Sequence, residues 1–368
     1  MAQARRNILP IGIHLDPDAV YMTQLEQHGR GMKVVSKASQ RLSTSAETVA
    51  RVAAASAGGR ETAERVYSQA RQFVRSKIAA DGFRGRDVVI SLPQEDLVIQ
   101  HVRMPPMQPE ELKAALPYEL QGKLPFDPKD AVVRHIVAGA ISENNETKHD
   151  VLVLAASRHV VEKHVSAMTR MGLNVTGVGV EPCAMCYCYA YAAAHSGPSQ
   201  EGPACVMIVF LGLRTTHVAI LRGQETTFAK GIEQGTDSLI DAVATSKNVP
   251  LEKAALLVET WRQSPGPETL EEAVGVYSRC RAGLDHLIDE IESCVRYHAS
   301  LARGAEVDRL YFVGPGAGDR ALVRVLCARL HVACEVGDPF GAVTGEANPE
   351  TTEPEMAVAV GLSLFGAQ

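Results

Sequence analysis

Two loops are the places where this chain could hold a phosphorylated small molecule. In the first, Gly314, Gly316 and Gly318 follow a short apolar strand and precede a helical pattern. Glycines let backbone come close to a flat ligand, and a helix N-terminus favours anions. The spacing is not that of the dinucleotide fingerprint, because the third glycine comes one residue early. A tight turn from strand to helix, without any ligand, is the competing interpretation.

The second loop is the turn from Gly212 to Thr215, between two predicted strands. Arg214 and Thr215 could bind an anion there, since a guanidinium and a hydroxyl both donate hydrogen bonds. A solvated turn beside a strand-favouring threonine pair is again the alternative. The candidate ligand-binding residues are Gly212, Thr215, Gly314, Gly316 and Gly318.

The remaining polar motifs predict no catalytic residue and no metal site. Cys183, Cys186 and Cys188 are closely spaced, but a metal site usually needs a second ligand pair at a distance, so we interpret them as part of a core helix. The histidines are scattered, and neither a phosphate-binding P-loop nor a hydrolase serine motif occurs. Glu181 follows an apolar strand and precedes Pro182, and we expect it to cap the next helix.

Composition narrows the function classes further. The chain has 368 residues, 46% hydrophobic and 22% charged, which is typical of a globular protein of two to three units. Its net charge is −6 and no basic stripe occurs, which argues against nucleic acid as a partner. The longest apolar stretch has 12 residues, whereas a membrane span needs about 20. We expect a cytoplasmic protein with reduced thiols and no direct membrane insertion.

Hydrophobic patterning predicts the elements that carry these loops. Three strands, 8–15, 20–27 and 34–42, are joined by short turns and form an antiparallel meander. A helix follows, with apolar residues from Val66 to Ile78 on one face. A strand over 88–92 is interrupted by Pro93 and resumes over 97–102.

A helix is then predicted from Glu110, with leucines four apart as far as Leu124 and a kink at Pro117. Next, a βαβ unit is predicted from strand 150–155 through a helix to strand 174–180. An apolar helix over 183–194 closes the first half.

The opening pattern then returns. The glycine- and proline-rich segment 197–203 is a linker by composition, and strand–turn–strand–turn–strand recurs over 205–232. A long helix around 284–295, the strand 310–313 with its glycine-rich loop, and a last helix over 356–364 complete the chain. We therefore predict a duplicated α/β fold. Its first half spans 1–196, including an inserted subdomain around 85–140, and its second half spans 204–368.

This layout resembles the actin-like, or ribonuclease H-like, superfamily, in which two such halves face each other across a nucleotide cleft. Within it, the chain is most similar to the PilM family, the actin-like proteins of type IV pilus assembly, which is related to the division protein FtsA. Four stretches carry the resemblance, and the middle two are the most specific. They are 11–15, the segment 88–105 with KLPFD at 123–127, the unit 150–185, and the loop 307–318 with VGDPF at 336–340.

The resemblance implies a nucleotide site, and the sequence departs from it. The first phosphate turn should contain an aspartate where His14 stands and a lysine where Tyr21 stands. The turn itself is Asp16-Pro17-Asp18, in which two carboxylates repel phosphate and the proline removes an N–H donor. A second aspartate is replaced by Phe210, which cannot coordinate Mg²⁺. We expect ATP or ADP to bind weakly at most, without hydrolysis.

The resemblance also implies a partner. Proteins of this family bind a short cytoplasmic tail of the inner-membrane protein PilN in a groove of the first half. An extended peptide on a preformed groove needs apolar anchors. The candidate partner-binding residues are Met104, Met107, Leu120, Leu124 and Phe126, with plain core as the competing interpretation of the leucines. The protein would then associate with the inner membrane through this partner.

Two alternatives stay open at this point. One is an active ATPase or small-molecule kinase in which Asp16 or Asp18 supplies the missing acid. The other is the cytoplasmic adaptor of type II secretion, which shares the fold. Whether the protein associates with itself is also left open by the sequence.

Overall fold

A computed structural model describes residues 7–16, 18–29, 31–42, 60–143, 146–195, 204–263, 266–301, 306–346 and 352–366. In this part of the chain there are thirteen strands and eleven α-helices. The strands are β1 (Ile11–Asp16), β2 (Ala19–His28), β3 (Gly31–Arg41), β4 (Asp87–Leu92), β5 (Val98–Met104), β6 (Ala131–Glu143), β7 (Glu146–Ser157), β8 (Asn174–Val180), β9 (Cys205–Leu211), β10 (Thr216–Arg222), β11 (Glu225–Ile232), β12 (Arg309–Val313) and β13 (Cys334–Val336). The helices are α1 (Arg60–Ala80), α2 (Pro109–Glu119), α3 (Arg158–Arg170), α4 (Glu181–His195), α5 (Ser238–Lys247), α6 (Leu251–Arg262), α7 (Pro267–Tyr277), α8 (Arg281–Leu301), α9 (Arg320–Arg329), α10 (Pro339–Thr344) and α11 (Ala357–Phe365).

Two five-stranded sheets repeat one arrangement. The first has the order β3-β2-β1-β4-β8 and the second the order β11-β10-β9-β12-β13. In each, a central strand pairs antiparallel with the next strand in the chain and parallel with a later one, as β1 does with β2 and β4 and β9 does with β10 and β12. This is the predicted duplication, and it confirms the two-half actin-like α/β fold.

The central strands are covered on both faces, which explains their nearly continuous apolar sequences. Every residue of β1 is buried, and so are six of the seven in β9. Helices α4 and α11 contribute to the core on one side of β1, and α1 packs on the other. A polar residue within such a strand, such as His14, therefore needs a buried partner.

A third sheet corrects two sequence predictions. Its order is β5-β7-β6, with both pairings antiparallel. Strand β5 therefore does not resume β4 beyond Pro93 but belongs to a different sheet. The predicted βαβ unit is also wrong, because β7 lies in the third sheet whereas β8 pairs with β4 in the first. Hydrophobic pattern marks strands but does not determine which sheet they join.

The helix predicted from Glu110 to Leu124 ends sooner, at Glu119. Gly122 has a φ of +76°, a left-handed conformation that breaks the helix after one more turn. Leu120 and Leu124 still face the same core, so a turn rather than a helix brings both side chains to it. Strand β6 and helices α5 to α7 were not predicted.

The C-terminal helix α11 lies against the first sheet, although it belongs to the second half by position in the chain. Gly12 of β1 packs directly on the backbone of α11 at Ala359, and Gly361 packs on α4 at Ala184. Helix α11 thus joins the two halves through β1 and α4. The predicted linker, 197–203, lies outside the described residues.

Candidate functional site

The two halves face each other across a cleft that contains two cavities. Cavity 1 measures about 370 Å³ and is lined by residues of both halves, including Asp16, Gln94, Glu181, Arg214 and Thr215. Cavity 2 measures about 400 Å³ and is lined by others, including Arg41, Glu259, Arg262 and Gly318. Both volumes lie in the range of small-molecule sites.

A buried carboxylate connects the two halves at the base of the cleft. Glu181, the first residue of α4, accepts hydrogen bonds from His14 Nε2 at 3.0 Å and from His217 Nε2 at 3.0 Å, one on each carboxylate oxygen. His14 lies on β1 of the first sheet and His217 on β10 of the second. Both imidazoles are fully buried, and Glu181 is 6% exposed. We call these residues the His–Glu–His cluster.

Glu181 is the acidic member of this cluster. Burial alone would raise the pKa of Glu181, but the hydrogen bonds from His14 and His217 outweigh it and hold that pKa at about 2. The carboxylate is therefore ionised at neutral pH, and each histidine must present a proton at Nε2. The sequence predicts that Glu181 caps its own helix. In the structure both of its carboxylate oxygens instead accept hydrogen bonds from the histidines.

Aromatic rings enclose the cluster. His14 stacks on Tyr21 across the β1–β2 pair, and His217 meets Phe210 edge-on across the β9–β10 pair. Phe210 also meets His14 edge-on, at a centroid distance of 5.8 Å. The two positions where the resemblance implies metal-binding aspartates, His14 and Phe210, are thus filled by packed rings. Within the described residues no group of three His, Cys, Asp or Glu side chains could hold a metal ion.

Acidic side chains predominate in the lining of cavity 1. Four carboxylates, those of Asp16, Glu95, Glu181 and Glu233, line it against the single guanidinium of Arg214. Burial, with a smaller contribution from the neighbouring Asp18, raises the pKa of Asp16 to about 6. A phosphate without a bound cation would be repelled in this cavity, whereas carboxylates are ligands that Mg²⁺ accepts.

The candidate ligand-binding residues lie in three different surroundings. Thr215 lines cavity 1 and Gly318 lines cavity 2. A side chain at Gly212 would overlap the carbonyl of Thr215, so this glycine serves a tight turn. Gly314 has a φ of +87°, and a Cβ on it would lie 2.9 Å from Phe210. Gly316 is equally crowded by Leu211 and Thr236.

Cavity 2 is more balanced in charge than cavity 1. Arg41 of β3 forms an ion pair with Glu259 of α6 across it, and Arg262 donates to Thr236 Oγ1 at 2.8 Å. Pro315 and Gly318 of the glycine-rich loop form part of its wall. Cavity 2 is thus lined by side chains of both charges and by the glycine-rich loop.

The candidate partner-binding residues separate into two groups. Met104, Leu120 and Leu124 are buried in the core between α2 and the third sheet, so a partner cannot reach them. Met107 and Phe126 are half-buried and pack against the same core from outside. We call these two side chains the Met107–Phe126 surface.

Sequence reasoning missed the histidine–glutamate contacts. His14, Glu181 and His217 are far apart in the chain. The hydrophobic pattern of a single strand does not reveal a contact between two halves. A signal was present, because a histidine in the middle of each apolar strand needs a buried acceptor.

Two mixed five-stranded sheets around a cleft, with a three-stranded insertion, define an actin-like protein. Residues 15–366 match the family described as type IV pilus assembly protein PilM, and the chain belongs to that family. Among solved structures, the PilM-PilN type IV pilus biogenesis complex is similar over 98% of each chain, with a TM-score of 0.69 and 21% identity. The ethanolamine utilization protein EutJ from Carboxydothermus hydrogenoformans is similar over 97% of this chain and 89% of its own, with a TM-score of 0.53 and 13% identity. Within the described residues no helix is long and apolar enough to cross a membrane.

Proposed function

We propose that this protein is a cytoplasmic adaptor of type IV pilus assembly that binds the cytoplasmic tail of a PilN-like inner-membrane protein and does not hydrolyse nucleotide. Membership of the PilM family supports the pilus role. The solved complex that resembles this chain contains PilN, which supports the choice of partner. The observation that carries the absence of hydrolysis is the His–Glu–His cluster, which occupies the cleft base together with Phe210.

The chemistry of the cleft base supports this proposal. Hydrolysis of ATP in such a fold requires oxygen ligands that hold Mg²⁺ against the phosphates. Here Glu181 is already bonded to two histidines, and Phe210 offers no ligand, so that only Asp16, Glu95 and Glu233 of the cavity 1 lining have carboxylates without a histidine donor among the described contacts. Weak binding of a nucleotide through its base and ribose, in cavity 2, is compatible with this arrangement.

The Met107–Phe126 surface is our candidate for the peptide-binding wall. The two side chains flank α2, and each is preceded in the chain by proline, in Pro105-Pro106 and in Pro125. Proline lowers the conformational entropy that would be lost on docking. Half-buried apolar side chains on a stiff backbone are suitable anchors for an extended peptide.

Calorimetry with a synthetic peptide of the partner's cytoplasmic tail tests the adaptor function. We expect Phe126→Ala or Met107→Ala to weaken binding at least tenfold, because a buried anchor contributes about 2 kcal/mol or more. The melting temperature should change little. Leu256→Ala is the matched control, since Leu256 is an exposed apolar residue of the second half. Unchanged binding in both anchor variants would contradict the proposed wall.

A second candidate function, an active ATPase, is favoured by one observation. Asp16 lines cavity 1 beside Arg214 and Thr215, where a displaced acid would have to stand. Turnover of ATP with Mg²⁺ distinguishes the two functions: we expect a rate equal to that of buffer alone. Steady hydrolysis that is abolished by Asp16→Ala would establish the ATPase instead.

A further inference from the structure

The cleft base is the place where the two halves meet through buried polar groups. Glu181 follows β8 of the first sheet and bonds His14 of the same sheet on one oxygen, whereas its other oxygen bonds His217 of the second sheet. One carboxylate thus has one hydrogen bond within the first half and one to the second half. All three side chains are at least nine-tenths buried.

Opening the cleft would break this arrangement at a defined bond. If the second half moved away, His217 would leave Glu181, and a buried carboxylate would lose one of its two donors. An incompletely paired charge in a protein interior is strongly disfavoured. The contact between Phe210 and His14, which also joins the halves, would be lost at the same time.

Further contacts between the halves lie around the cluster. Gln94, which precedes the third sheet, lies against Gly231 of β11, and Arg214 of the second half is 4.0 Å from Asp18 of the first. Arg41 and Glu259 form an ion pair across cavity 2. These outer contacts are partly exposed, and exposed ion pairs contribute little. The His–Glu–His cluster is a buried polar contact, and it lies beside the buried apolar core that residues of both halves form with α4 and α11.

We propose that the His–Glu–His cluster is a latch that holds the two halves closed by protein side chains alone, so that closure of the cleft requires no bound ligand. The proposal is independent of which partner the protein recruits. The bond from His217 to Glu181 is the part of the latch that spans the cleft, and the bond from His14 to Glu181 braces the carboxylate from within the first half.

Hydrogen exchange of the full chain, without nucleotide, tests the latch through a matched pair of variants. His217→Leu removes the arm to the second half, and His14→Leu removes the arm within the first half, because leucine has no donor. We expect His217→Leu to speed amide exchange at least tenfold at the ends of β1 and β10 that face the cleft, while β4 and β12 stay protected. His14→Leu should leave the cleft closed, with slower exchange there than in His217→Leu.

Small-angle scattering supplies the second measurement. A compact chain of this length has a radius of gyration of about 21 Å, and we expect His217→Leu to increase it by about 5%. Glu233→Gln, which changes the charge of cavity 1 but touches neither histidine in the described contacts, should match the unmodified protein in both measurements.

Three results would overturn the latch. The first is equal exchange and equal size for His217→Leu and the unmodified protein. The second is exchange that accelerates uniformly through both halves, which indicates general loss of stability rather than opening. The third is an unmodified protein whose cleft amides gain tenfold protection only when ATP and Mg²⁺ are added, since closure would then depend on a ligand.

Discussion

At the cleft base, polar side chains are buried and bonded to one another, whereas at the Met107–Phe126 surface apolar side chains are only half covered. In the first region both oxygens of Glu181 have histidine donors, whereas the Nδ1 atoms of His14 and His217 are buried without a hydrogen-bond partner among the described residues. The second leaves apolar area in contact with water. Exposed apolar area gains free energy from being covered. The difference supports the proposal that this chain works through a surface rather than through its cleft.

The largest expected effect on stability comes from disturbing the contact between α11 and α4, the helix that begins at Glu181. A Cβ at Gly361 of α11 would overlap the carbonyl oxygen of Ala184, one turn after Glu181 in α4. We expect Gly361→Ala to destabilise the protein by about 3 kcal/mol or more, because helix backbones cannot separate without losing core contacts. Denaturant unfolding measures this loss.

Gly275→Ala is the control for that measurement. It adds the same methyl group to the interior of helix α7, where the nearest atom is a guanidinium nitrogen of Arg279 at 3.8 Å. Alanine in a helix is favoured over glycine by roughly 0.5–1 kcal/mol. A Gly361→Ala variant as stable as Gly275→Ala would contradict the close packing of α4 on α11.

The second prediction sharpens the boundary between core and surface beside α2. Leu120 is fully buried and Phe126 is half-buried in the same cluster. We expect Leu120→Ala to cost about 2–5 kcal/mol of unfolding free energy, as for other buried leucines. Phe126→Ala should cost clearly less while weakening peptide binding more. A larger loss of stability for Phe126→Ala would place this ring in the core and remove it from the proposed wall.

The smallest effect concerns Asp16 at the edge of the cleft base. Its pKa in the folded protein is raised to about 6 from an ordinary value of 3.8, so the folded state binds a proton more tightly than the unfolded state. This group therefore lowers stability as the pH rises from about 4 to above 6, by at most about 3 kcal/mol. Asp16→Asn should remove this loss and be more stable than the unmodified protein at pH 8 but not at pH 4.

Glu181 contributes the opposite dependence of stability on pH and serves as the internal comparison for that experiment. Its pKa of about 2 lies below the ordinary 4.5, so its contribution is present above pH 4.5 and is lost as the pH falls toward 2. Thermal unfolding from pH 3 to pH 8 should show both trends. Equal pH profiles for Asp16→Asn and the unmodified protein would show that Asp16 is not crowded as described.

The sequence was sufficient for the duplicated fold because each half opens with local hairpins, and short turns make neighbours in the chain neighbours in the sheet. It was insufficient for β5 and β7, whose partner strands are set by distant packing rather than by pattern. The same limit applied to the site. That Phe210 offers no ligand to Mg²⁺ and that His14 stands where an aspartate is expected could be stated from residue type alone, but the contact between Glu181 and His217 depends on how two halves meet.

Helix α11 has a consequence for how the chain is made. Residues 357–365 cover β1, which begins at Ile11, so this strand is sealed by a helix that is synthesised long after it. The first half therefore leaves the ribosome with part of its apolar core exposed, and contacts of such long sequence separation form slowly. The nascent protein must stay soluble from the synthesis of β1 until α11 emerges and covers it.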